Sequence, residues 1–431
     1  MGLTSYFRQW TARHGDRTAL VFEKKRRSWV ELEDRVGRLA SVLRDLGVGP
    51  GDRVAMLANS SDRYVEFYYS VLWLGGIVMP LNSRHAVPEL LAQVHDAEPK
   101  VLLVDASFNT VAEQIRAASP SIKHMIYADD GIVPEGMIGY EQALAAAQPC
   151  KDTNTGGGEV ACLFYTGGTT GRAKGVMLTH ENLMSSARCM IGLLGLEDGS
   201  LTHLHAGPLF HLAAGGRVLM TTMVGGRHVV IPRFTPRELL TIVQAERITA
   251  LTLVPTMLSM VLQQPDFGSF DLSSVKLITY GASPMPETIL REALAKFPKV
   301  QFSQVYGMTE LSPAATLLGP EDHRLGPSHR LRSAGKPVMG VELRVVDSND
   351  VPRPSGQVGE IIVRGPNVMK GYWRQPEQTE QTLRNGWMHT GDAGYLDADG
   401  YLYVVDRTKD MIVSGGENVY SAEVENAVGQ H

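Results

Sequence analysis

Short, continuous apolar runs alternate with amphipathic helical segments along most of this chain, and that alternation restricts the fold more than any other feature. The runs at residues 54–57, 101–104, 124–127, 228–231, 250–254, 276–280 and 300–305 are too short for stable helices. Most of them are also too apolar for strands with one wet face. Helical segments stand between several of them. Ser28-Trp29-Val30-Glu31 is a capping box. It opens a helix with Leu32, Val36, Leu39, Leu43 and Leu46 on one face, ended by Gly47. A second helical stretch runs over residues 62–74. Strands buried on both faces and joined by helices give an α/β fold. From about Gly335 the texture changes. Strands at residues 342–346, 360–364 and 402–405 follow one another across Gly, Pro and Asp turns, which predicts a smaller antiparallel or barrel-like subdomain. No repeat or low-complexity tract interrupts the pattern.

A chain of 431 residues with 43% hydrophobic and 20% charged residues can bury a large core in two or three domains. Its net charge of −5 argues against nucleic acid as the main partner. The one basic run, Lys24 to Arg27, lies between two strand-like segments and reads as a solvated hairpin tip. Cys150, Cys162 and Cys189 lack metal-type spacing and point to a reducing compartment. The histidines form no HxxxH or HExxH pattern, so zinc is not indicated. The first residues lack a signal-peptide core, and Tyr6 stands where a myristoylation motif needs Ser or Thr. No run of about 18 apolar residues is present, so no transmembrane segment is expected. A cytoplasmic protein is the expectation.

Residues 162–180 read CLFYTGGTTGRAKGVMLTH. Glycines, threonines and one lysine lie between two strand-like runs, directly after the linker-like Thr153 to Gly158. Glycine lets backbone N–H groups approach an anion, threonine hydroxyls donate to phosphate oxygens, and Lys174 supplies a compact charge. The stretch fails the Walker A pattern, because Ala173 precedes the lysine and Gly175 follows it. A flexible hairpin turn of the same composition is the rival reading.

Four further stretches bear on that choice. Pro208-Leu209-Phe210-His211 precedes a run of small residues. Tyr280-Gly281-Ala282-Ser283 and Gln304-Val305-Tyr306-Gly307-Met308-Thr309-Glu310 each end a strand. His389-Thr390-Gly391-Asp392 leads on to Asp406-Arg407-Thr408-Lys409-Asp410 and Ser414-Gly415-Gly416-Glu417-Asn418. Each alone has a bland explanation: a structural histidine, a helix cap, a turn, a surface ion pair. In this order they resemble the acyl-adenylate-forming superfamily, over nearly the whole chain and most closely its acyl-CoA synthetase branch.

The resemblance implies a large N-terminal domain over residues 1–405, made of two helix-flanked sheets and a barrel-like subdomain at about 335–405. It implies a hinge at 406–410 and the start of a C-terminal α+β domain at 411–431. It implies ATP, Mg2+ and coenzyme A as cofactors and a small carboxylic acid as substrate, with a homodimer left open. Thr166, Gly167, Gly168, Thr169, Thr170, Gly171 and Lys174 correspond to the loop around the β- and γ-phosphates. Gly281, Ala282 and Ser283 correspond to the segment against adenine, and Tyr306 to the ring on its other face. Gln304 and Gly307 belong to the same nucleotide-binding stretch. Thr309 corresponds to an α-phosphate donor and Glu310 to the magnesium-binding acid. Asp392 corresponds to the acceptor of both ribose hydroxyls, Arg407 to a second ribose contact and Lys409 to the hinge. His211 corresponds to the gate of the acid pocket, whose other residues are Leu212, Ala213, Gly215, Ser303, Val305, Met308 and Ala314. Lys174, Thr309, Glu310 and His211 are thus the expected catalytic set.

Three departures stand out. The family loop usually has Ser at Gly167 and Pro at Ala173, and many relatives have Gly at Val305, where valine narrows the pocket. Relatives also continue beyond the point where this sequence stops, into a domain that carries an adenylation lysine. A truncated form impaired in adenylation is therefore expected. The pocket positions are small and apolar, with no charge placed for an ammonium or a second carboxylate, which predicts a fatty or aryl acid. A stand-alone enzyme loading a carrier protein and a non-catalytic nucleotide- or acyl-AMP-binding module are the alternatives.

Overall fold

The computed structural model describes residues 1–167, 173–196, 199–323, 329–407, 412–414 and 417–419. The chain forms two compact units. The first comprises Met1–Ile191, Leu196–Phe234 and Met369–Pro376. The second comprises Gly192–Gly195, Thr235–Val368 and Glu377–His431.

The first unit carries strands β1 (Thr18–Phe22), β2 (Lys25–Ser28), β3 (Arg53–Leu57), β4 (Ile77–Pro80), β5 (Val101–Val104), β6 (His124–Tyr127), β7 (Ile138–Gly139), β8 (Val160–Thr166), β9 (Lys174–Thr179), β10 (Thr202–His205) and β11 (Arg227–Val230). One sheet runs β9-β8-β4-β3-β5-β6-β7. It is parallel except at β8–β9. β4 and β5 are buried at every residue, as their unbroken apolar sequences require. A second set, β10-β11-β1-β2, ends in the antiparallel hairpin β1–β2. The capping box is present at Ser28, whose side chain accepts from Glu31 N, and the helix Trp29–Asp45 follows.

The basic run does lie at the tip and return strand of the β1–β2 hairpin, where Lys24 and Arg26 are exposed, but Lys25 and Arg27 are not simply solvated. Lys25 pairs with Asp130 at 2.8 Å, while Arg27 pairs with Asp62 at 3.0 Å and Glu66 at 3.2 Å. Asp62 and Glu66 lie in the helix Asp62–Trp73, which is buried along its whole length. Buried carboxylates need cations, and the arginines are drawn in to supply them. Arg35 joins Glu66 to Glu141, and Arg63 joins Glu141 to Asp130. Hydrogen bonds from Lys25 and Arg63 hold the Asp130 pKa down at about 2. Burial opposes ionisation of Glu141, yet Arg35 and Arg63 hold it at about 2 as well.

The second unit carries β12 (Ala250–Leu253), β13 (Leu277–Gly281), β14 (Gln301–Tyr306), β15 (Thr316–Leu318) and β16 (Lys336–Pro337). The first three are parallel and the last two antiparallel additions. Next come β17 (Glu342–Val346) and β18 (Gly359–Arg364). β19 (Gly371–Tyr372) returns to the first unit and pairs with β9. β20 (Met388–Leu396) and β21 (Leu402–Arg407) complete an antiparallel sheet of order β17-β18-β20-β21. This sheet fills the region expected to be barrel-like. Its inner face (Val345, Ile361, Val363, Met388, Leu402) packs with Leu311 and Ala315. That core therefore joins the sheet to the segment just after Glu310. Of the expected hinge, Asp406 and Arg407 belong to β21, and residues 408–410 lie outside the described residues.

Candidate active site

The expected site residues fall into two sets, one in each unit. In the first unit, the antiparallel register places Thr166 opposite Lys174 where the glycine loop leaves β8 and enters β9. Gly167 is exposed, with open space around the position of a Cβ. The Lys174 ammonium lies 4.9 Å from the Tyr372 ring centroid, a cation–π contact that steers the side chain at the loop's edge. Gly168, Thr169, Thr170 and Gly171 lie outside the described residues.

His211 stands at the N-cap position of the helix Leu212–Met223, without a side-chain bond to the helix. Its ring packs on Phe210 at 4.5 Å. The residue reaches solvent, yet desolvation by the protein atoms packed around its ring, with Arg84 and His85 nearby, lowers its pKa to about 4. The turn before it is fixed from below. Ser60 Oγ accepts from Leu209 N at 3.2 Å, and the Tyr68 hydroxyl donates to Leu209 O at 2.9 Å. The same hydroxyl explains Gly215, where a Cβ would stand 2.2 Å from it. Leu212 and Gly215 are buried, while Ala213 is exposed. Arg217, which the sequence reading passes over, follows in the same helix. Burial lowers its pKa to about 10, which leaves it charged at neutral pH.

In the second unit the residues gather at the carboxyl ends of parallel strands, where ligands of open α/β sheets bind. Gly281 ends β13 and pairs with Val305 of β14. A Cβ at Gly281 would stand 2.2 Å from Val305 O. Ala282 follows in a left-handed conformation, φ +67°. Ala282 and Ser283 are exposed, whereas Gln304, Val305, Tyr306, Met308 and Thr309 are half-buried. Gly307 has φ +158°, and a Cβ there would stand 2.1 Å from Pro313 O. Thr309–Leu311 forms a single 3-10 turn with Glu310 buried at 5% exposure. Asn367, also missed in the sequence, donates to Leu311 O at 3.1 Å and Ala314 O at 2.7 Å, so it ties down the segment after Glu310. Ser303 and Ala314 are both buried.

The Tyr306 hydroxyl donates to Asp392 Oδ2 at 2.7 Å. This bond joins the end of β14 to β20, 86 residues away. Asp392 stands in an irregularity of the ladder: Ile362 faces His389 but Glu360 faces Ala393, so β20 has extra residues there. Side chains hold them. Thr390 Oγ1 donates to Ile361 O at 2.7 Å and accepts from Asp392 N at 3.0 Å. Glu360 accepts from Gly391 N at 3.2 Å through one oxygen and lies 2.9 Å from His389 Nδ1 through the other. Glu360 is a further residue that the sequence reading did not single out, and His389, quoted there within its stretch, had no role assigned to it. Asp392 pairs across the ladder with Arg407, and Lys409 lies outside the described residues.

The family model of AMP-binding enzymes matches residues 7–373. Feruloyl-CoA synthase from Amycolatopsis sp is 39% identical over 416 residues, which cover 96% of this chain and 78% of that protein. Among solved structures, the N-terminal domain of FACL13 from Mycobacterium tuberculosis, with inhibitor bound, superposes with a TM-score of 0.86 at 29% identity. The match covers 94% of this chain and 99% of that one. The anthranilate CoA ligase AuaEII in complex with anthranoyl-AMP gives a TM-score of 0.91 at 26% identity, over 100% of this chain and 82% of that one.

Proposed function

The chain belongs to the AMP-binding enzyme family and is an AMP-forming acid–thiol ligase, and from that premise we propose that it activates an aryl or fatty carboxylate with ATP and passes the acyl group to coenzyme A. A carboxylate oxygen attacks the α-phosphorus and pyrophosphate leaves. The thiol sulfur of coenzyme A then attacks the acyl carbon, loses its proton and displaces AMP. Such chemistry asks the protein mainly for position and charge stabilisation.

Each residue type suits its part. Thr166, Gly167 and Lys174, with the rest of their loop, receive the β- and γ-phosphates. Gly281 to Ser283 border adenine, and the Tyr306 ring stacks on it. Asp392 accepts the ribose hydroxyls, oriented by the Tyr306 hydroxyl, with Arg407 as a second ribose contact. Thr309 donates to the α-phosphate. Glu310 is the residue that would hold Mg2+: it is a buried hard oxygen donor. Among the described residues no group of three or more His, Cys, Asp or Glu could hold a metal ion by itself. That fits an ion that enters on the nucleotide phosphates and needs one or two carboxylates. Mg2+ supplies neutralisation of the phosphate charge. Neutral His211, at the start of its helix, borders the acid without adding charge.

The Tyr306–Asp392 hydrogen bond is the observation that carries this reading. It holds the Asp392 carboxylate, the proposed ribose acceptor, against the Tyr306 hydroxyl in a chain of this family. The test is pyrophosphate release and acyl-AMP formation with ATP, Mg2+ and a panel of fatty and aryl acids, followed by addition of coenzyme A. Acid-dependent release, with AMP and acyl-CoA after the thiol is added, is expected. Failure to bind ATP or AMP at all would overturn the reading.

A further inference from the structure

We propose that Tyr372 is a positioning residue for the triphosphate: its ring holds the Lys174 ammonium where the β- and γ-phosphates arrive, so it affects the binding of ATP and not that of AMP. The proposal rests on the phosphate role given to Lys174 above and deepens it.

The register of the sheet edge makes the pair. β9 has β8 on one side and the two-residue strand β19 on the other. Tyr372 stands opposite Val176, and Lys174 opposite Thr166. Opposite residues of an antiparallel ladder share a face, and side chains alternate along each strand. Lys174 and Val176 are two positions apart, so Thr166, Lys174 and Tyr372 lie on one face. Tyr372 is then diagonal to Lys174, at a spacing that long and aromatic side chains bridge. The cation–π contact of 4.9 Å is that bridge.

Groups other than the ammonium fix the ring. Lys370 N donates to Met177 O at 3.0 Å and Trp373 N to Gly175 O at 2.7 Å, which clips the segment onto β9 on both sides of Tyr372. The neighbouring residues Tyr165, Gly175 and Trp373 point to the opposite face. There the Trp373 indole donates to Asp96 O at 3.1 Å and the Tyr165 hydroxyl to Asp96 Oδ2 at 2.7 Å. The Arg53 guanidinium lies 5.1 Å from the Trp373 ring centroid. A Cβ at Gly175 would stand 3.2 Å from Trp373 Cβ, so the two strands meet closely at that point. The Tyr372 ring is buried at 5% exposure, whereas Lys174 is half-buried.

A fixed ring under a flexible cation has a consequence for binding. A lysine loses rotamer freedom when it engages a phosphate. Here the ring has already confined the ammonium on the face that carries Thr166, while the outer N–H groups stay available to phosphate oxygens. AMP has no β- or γ-phosphate and gains nothing from that confinement.

The probes are α,β-methylene-ATP, which is not cleaved at the α-phosphorus, and AMP, each with Mg2+ and read by calorimetry on the whole chain. Tyr372→Leu and Tyr372→Met remove the ring face. Each should weaken the ATP analogue about three- to tenfold and leave AMP within about twofold. Tyr372→Phe keeps the ring face and should hold both nucleotides within about twofold of the unaltered protein. Because the ring acts through the ammonium, Tyr372→Leu should add little to the loss that Lys174→Met causes with the ATP analogue. A purely structural tyrosine would weaken both nucleotides alike, or add its full loss to that of Lys174→Met, and either result would overturn the proposal. Unchanged or tighter binding of the ATP analogue to the leucine and methionine variants would overturn it too, and would leave the ligase reading intact. Failure of the unaltered chain to bind either nucleotide would overturn both.

Discussion

Two stretches of the second unit hold the groups proposed to meet the nucleotide by opposite means. At the ends of β13 and β14 the backbone does the work. Gly281 lies against Val305 O and Gly307 against Pro313 O, so closely that neither position has room for a Cβ. At the Thr390–Asp392 irregularity of β20, side chains do it: Thr390 and Glu360 bond backbone groups that the sheet ladder leaves over. The difference lies in what each stretch tolerates. A backbone-built site fails when an atom is added. A site built by side chains fails when one is removed, and then by degrees, because several bonds share the load.

Substitutions test that contrast, taken from the largest expected effect downward. Gly307→Ala puts a methyl against a backbone oxygen that cannot swing away, at a φ that L residues rarely adopt. It should cost roughly 2–4 kcal/mol in a urea titration and abolish AMP binding. An unchanged midpoint would show that the strand end is softer than described. Asp392→Ala should leave folding nearly intact and weaken AMP roughly 10–100-fold by calorimetry, since hydrogen bonds to a charged acceptor are among the stronger ones. A loss of stability as large as that of Gly307→Ala would erase the contrast. Tyr306→Phe keeps the ring and removes the 2.7 Å bond to Asp392. About three- to tenfold weaker AMP binding is expected, with little change in thermal unfolding. Glu360→Gln retains an acceptor for Gly391 N and disturbs only the contact with His389. A change of less than about threefold in AMP affinity is expected, and a larger one would mean that this pair, rather than Thr390, carries the turn.

Much of this was legible in the sequence, because it is local. The capping box at Ser28 and the apolar runs of β3, β5 and β6 are written in neighbouring residues. Strand ends shift where glycine intervenes. Residues 276–280 were expected as the strand, yet the pairing runs Leu277–Gly281, because bare glycine backbone still pairs with Val305. What was not legible depends on partners far apart in the chain. Nothing around Lys24 to Arg27 announces Asp62, Glu66 and Asp130, so the run read as solvated. Glu360 and His389 are 29 residues apart and meet through an irregular register that no local pattern encodes.

The most direct test of the central claim compares AMP with its 2′,3′-dideoxy analogue by calorimetry, on the unaltered chain and on Asp392→Ala. If Asp392, held by Tyr306, is the ribose acceptor, AMP should bind the unaltered chain about tenfold or more tighter than the dideoxy nucleotide. The variant should bind both alike. Equal affinities on the unaltered chain would contradict the account.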